Sequence, residues 1–140
     1  MKVTRYTIVP GETEQQAIEN GRDAFRNLCK GDYDLYSDAD RRAVYGGFIL
    51  LHDAPIDDTG VWQMASSDTV ARMKTVWEDM MDELREFHEG DDTTFSPGSH
   101  NRTRKFRIYD QHGGAVACVH RFQDLIESDD HWVVAAQFSF

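Results

Sequence analysis

The chain is poor in cysteine, proline, lysine and long apolar runs, and each scarcity removes a class of protein. No stretch approaches the roughly 20 apolar residues that span a bilayer, so no membrane segment is expected. The opening residues Met1-Lys2-Val3-Thr4-Arg5 lack the apolar core of a secretory signal. The two cysteines, Cys29 and Cys118, fit neither a disulfide framework nor a zinc spacing. Together these point to a cytoplasmic protein with reduced thiols, in which the sequon Asn101-Arg102-Thr103 carries no sugar. No phosphate-binding glycine loop, nucleotide fingerprint, nucleophile elbow or zinc-protease motif is present, so no cofactor and no metal are expected.

Positive charge is also short. Fifteen Lys and Arg face 25 Asp and Glu, for a formal net charge of −10. That balance opposes direct binding to nucleic acid or anionic lipid, both of which depend on cations. The acids are mainly Asp and the bases mainly Arg. A GC-rich genome or adaptation to high salt produces the same bias, and neither concerns function.

What is present suits one folded domain over residues 1–140, large enough for a real core. Residues 2–9 are rich in Val, Thr, Tyr and Ile and read as a strand. Thr13 with Gln16 makes a capping box. The helix that follows puts Ala17, Ile18, Gly21, Ala24, Phe25, Leu28 and Cys29 on one stripe and stops at Gly31. A polar loop with Tyr33 and Tyr36 leads to a strand over 43–52. Its run Phe48-Ile49-Leu50-Leu51 is expected to be buried on both faces, with Gly46-Gly47 marking a bulge. After the turn at Asp57-Asp58-Thr59-Gly60, residues 61–64 should return as its hairpin partner. Ser66 or Ser67 then starts a long helix to about Glu89, with Val70, Met73, Val76, Trp77, Met80, Met81, Leu84 and Phe87 as its core stripe. A loop over 90–101 leads into an antiparallel meander. Its first strand has Arg104, Phe106 and Ile108 on one face, and a tight turn follows at His112-Gly113-Gly114. Residues 115–122 form the second strand, and the last carries Trp132, Val134, Ala136, Phe138 and Phe140 on one face.

The expected class is therefore α+β, with two helices on a mostly antiparallel sheet in the order β-α-β-β-α-β-β-β. The first six elements have the succession of a ferredoxin-like unit, followed by an added C-terminal hairpin.

One stretch stands apart. Between Glu78 and Asp92 eight carboxylates accompany a single Arg, Arg85. Glu78, Asp79, Asp82, Glu83, Glu86 and Glu89 fall in the C-terminal half of the long helix, where the macrodipole favours cations. Glu78 with Asp82, Asp82 with Glu86, and Asp79 with Glu83 sit at the repulsive four-residue spacing. The functional expectation is a rigid acidic face that engages a protein with a basic, nucleic-acid-binding groove. The concrete form is a non-catalytic inhibitor resembling nucleic acid, of the kind mobile elements use against host defence.

The alternative is a small-molecule-binding domain or small enzyme. In the expected second meander strand Cys118 and His120 share a face and could serve a pocket between sheet and helices. The cations Arg102, Arg104, Lys105 and Arg107 are expected to neutralise the acidic helix within the fold, or to meet an acidic patch on a second copy. Asp53, Asp57 and Asp58 beside His52 are turn residues rather than a calcium loop. Should the stripe around Trp77, Met80 and Met81 be wider than the sheet covers, the surplus would form an interface, a homodimer being the simplest case.

Overall fold

The computed structural model describes residues 2–31, 48–54, 59–90 and 106–139. Two long strands form its spine. β1 (Lys2–Pro10) and β5 (His131–Ser139) pair antiparallel along their whole length, from Lys2 opposite Ser139 to Pro10 opposite His131. Both sequences supply β-branched or aromatic residues that suit a pleated, half-buried surface. On β5 they alternate strictly: Trp132, Val134, Ala136 and Phe138 face one layer, and Val133 faces the other.

The first layer is α1 (Glu14–Gly31). Thr13 Oγ1 accepts the Gln16 N–H at 3.1 Å, while Gln16 Oε1 accepts the N–H of Glu12 at 2.7 Å, so the capping box forms and reaches one residue further back. Ala17, Ile18, Ala24, Phe25 and Leu28 are buried against Val9, Val134, Ala136 and Phe138. Phe25 makes an edge contact with Phe138 at 5.4 Å. Gly21 sits where the helix lies close against β5, since a Cβ there would stand 2.7 Å from Val134 Cβ.

β2 (Phe48–Leu50) and β3 (Val61–Gln63) do not form a hairpin with each other. Both lie antiparallel on the same edge of β5, β2 against 136–138 and β3 against 132–134. The Gly60 carbonyl takes the Ala135 N–H at 2.8 Å between them. The two segments therefore act as one edge strand, interrupted by an excursion that starts with a 3₁₀ turn, Leu51–Asp53. Arg22 holds this turn to α1 through Asp53 at 2.8 Å. Ile49, expected in the core, is 59% exposed: Phe48 and Leu50 turn to the α1 layer, and the alternation of the strand puts Ile49 on the other face, outside the second core cluster.

The opposite layer is α2 (Ser67–Gly90) with α3 (Val119–Ile126). Met73, Met64, Phe122 and Ile126 pack with Ile8, Ile108, Val116 and Val133. Trp77 stacks on Phe122 with ring centroids 4.5 Å apart and planes 9° from parallel. The remaining strand, β4 (Ile108–Tyr109), pairs with β1 in parallel, giving the order β2-β5-β1-β4 with β3 also on β5. The result is a single α+β domain with a mixed sheet between helical layers.

Two expectations about the C-terminal third are corrected. Residues 115–122 are not a strand: Ala115 makes one bridge to Tyr109, and a helix begins at Val119. The segment carries both periods. Val116, Cys118, His120 and Phe122 alternate, but Phe122 and Ile126 are four apart, and burying that pair against the sheet decided the outcome. The count is thus three helices among the described residues, with no C-terminal meander. Phe106 and Ile108 also part company, Phe106 packing with the α1 layer and Ile108 with the α2 layer.

The expected turn does form. Asp110 Oδ1 accepts the N–H groups of His112 (2.8 Å) and Gly114 (3.0 Å), and Gly113 adopts φ +81°. The Tyr33/Tyr36 loop, Gly46-Gly47, Asp57-Asp58, the loop beyond Gly90 and Arg102, Arg104 and Lys105 lie outside the described residues.

Candidate functional site: the acidic face of helix α2

The inner side of α2 is fixed by size and polarity. Met73 and Met80 are fully buried, Thr69 nearly so, and Val70, Val76 and Trp77 are partly covered. With 3.6 residues per turn, the carboxylates are forced to the other side. Glu78, Asp79 and Asp82 are exposed there, within about 100° of the helix circumference. Glu78 and Asp82 are separated by about 6 Å of axial rise. Glu86 and Glu89 continue the same helix, and their side chains lie outside the described residues.

Glu83 departs from the expected row. Its Oε2 accepts from Arg107 Nη2, and both side chains are about one-third exposed (33% and 30%). The backbone N–H of Arg107 donates to Met80 Sδ at 3.2 Å, so this residue clamps α2 by two different groups. Arg107 thereby does what its basic cluster was expected to do, neutralising part of the acidic helix inside the fold.

Arg5 lies behind the pair and is buried to 4% exposure. Burial lowers its pKa, while Tyr109 and Glu83 work in the opposite direction and favour the charged form. Arg5 also donates to the Thr4 carbonyl at 2.9 Å, and Tyr109 donates its hydroxyl to the Phe106 carbonyl at 3.0 Å. Glu83 is thus a counter-ion for Arg107 within the fold rather than a partner-facing acid.

Asp82 is different. It meets Arg85 at 3.3 Å, with both side chains about two-thirds exposed, a geometry worth little in water. Among the described residues, the acids of this row left exposed and without a buried counter-ion are Glu78, Asp79 and Asp82, on a helix held by its packed side. Acids are not confined to this helix. Glu12, Glu14, Glu19 and Asp23 are exposed around α1, and Asp124, Glu127, Asp129 and Asp130 on and after α3.

The chain matches no family model, no curated protein and no solved structure. Function rests on the geometry alone.

Cys118 and His120 are not brought together as the alternative requires. Cys118 is the N-cap of α3 and His120 lies in its first turn, and both are exposed. No group of three or more potential metal ligands occurs among the described residues. A cavity of about 280 Å³ opens at the β1–α1 corner, lined by Pro10, Gly11, Glu12, Gln16, Asn20 and Asp130, and includes neither residue. Beside it the His131 ring, bonded at 2.8 Å, holds the Asp130 carboxyl below its ordinary pKa. Asp53 is likewise lowered, first by its hydrogen bond from Arg22 and then by His52. The Asp130–His131 pair joins adjacent residues, whereas Asp53 ties its 3₁₀ turn to α1.

Proposed function

We propose that the protein is a non-catalytic interaction protein that occupies a basic, nucleic-acid-binding groove on another macromolecule. The observation that carries this reading is the exposure of Glu78, Asp79 and Asp82 on one side of a helix whose other side is locked into the core. A groove built to displace counterions from phosphates can displace them from a row of fixed carboxylates as well. Packing through Met73, Trp77 and Met80 means that little ordering is needed on binding, so less of the interaction is lost to entropy. The concrete version is an inhibitor of a nucleic-acid-binding machine, of the anti-defence type, acting in the cytoplasm. No described helix is long and apolar enough to cross a membrane.

The test is co-purification from a lysate of source cells at low and high salt. A basic, nucleic-acid-binding protein retained at low salt and released as salt rises is the expected result. Retention that is unaffected by salt counts against an electrostatic face.

A second reading is favoured by a specific observation: exposed acids occur on both helical layers. In that reading the charge serves solubility in concentrated salt, and the band on α2 is one part of it. It demands that the fold be lost when salt is withdrawn, which thermal unfolding at low ionic strength decides directly.

A further inference from the structure

We draw no further inference here: the strongest candidate, the polar cavity of about 280 Å³ at the β1–α1 corner, carries nothing, because it is a helix N-terminus beside two surface carboxylates, with Gln16, Asn20 and Asp130 already hydrogen-bonded within the chain and no deeply buried polar side chain shown aimed into it.

Discussion

Replacing Gly21 by alanine should destabilise the protein, although alanine is the better helix former. An added Cβ would stand 2.7 Å from both Cβ and Cγ1 of Val134 and 2.9 Å from its Cγ2. Carbon atoms prefer about 3.5–4.0 Å, so α1 must retreat from β5 by roughly 1 Å. Overpacking of this kind costs about 1–3 kcal/mol, against a gain of about 1 kcal/mol in helix propensity. Since the contact is with a fully buried side chain on a central strand, the upper part of that range applies. The net loss should be about 1–2 kcal/mol, or roughly 4 °C in Tm for each kcal/mol. Gly21→Val should lose more, because branching adds atoms on the crowded side. Urea unfolding followed by circular dichroism measures both. Val134→Ala in the Gly21→Ala background should recover part of the loss, and only part, because the two Cβ atoms still clash. A Gly21→Ala variant at least as stable as the parent would mean that α1 does not lie on β5 in this register.

Four further outcomes follow from the same geometry. Phe122→Ala should cost about 3–5 kcal/mol, as for a buried aromatic, whereas His120→Ala and Cys118→Ala should stay within about 0.5 kcal/mol; equal costs would restore the strand that α3 replaces. A double-mutant cycle of Glu83→Gln and Arg107→Gln should give a coupling of about 1 kcal/mol at low salt that shrinks at 1 M salt, and zero coupling at both would remove the clamp. Asp53 has a lowered native pKa, so its contribution is complete above the unfolded value of about 3.9 and is lost as pH falls through the native one. The stability gap between the parent and Asp53→Asn should therefore close as unfolding is repeated from pH 6 to pH 2, and a gap independent of pH would exclude the Arg22 pairing as its source. Finally, thermal unfolding in about 10 mM salt should still show one cooperative transition; a chain already unfolded there would favour salt adaptation over a functional face.

The parts of this fold that were legible in sequence are those in which one period dominates. β1, α1, α2 and β5 each carry a long, unambiguous pattern, and the capping box at Thr13 and Gln16 forms as its spacing implies. The parts that were not legible depend on distant partners. The parallel pairing of Tyr6 with Ile108 joins residues about a hundred positions apart, and nothing local to either announces it. The end-to-end placement of β2 and β3 follows from the length of β5, which offers more edge than either short strand can cover. Residues 115–122 satisfied two periods at once, and contact with Ile8, Ile108 and Trp77 selected the helix.

The candidate site divides the same way. Helical spacing alone placed Glu78, Asp79 and Asp82 on one exposed side, where the structure has them. The withdrawal of Glu83 could not be read from α2, because its partner Arg107 arrives from 24 residues downstream. A signal existed in the cluster Arg102 to Arg107, but not which of its cations would pair with which acid. The apparent strand face shared by Cys118 and His120 dissolved with the strand itself.

The central claim is that three exposed carboxylates of α2, rather than the overall negative charge, engage a basic partner. It is tested most directly by capturing the partner with Glu78→Lys/Asp82→Lys and with a control of identical charge change, Glu14→Lys/Glu19→Lys on α1, after confirming that both fold. Loss of capture in the first and retention in the second is the predicted result. Equal loss in the two would show that total charge is what matters, and full retention in both would show that this side of the helix touches nothing.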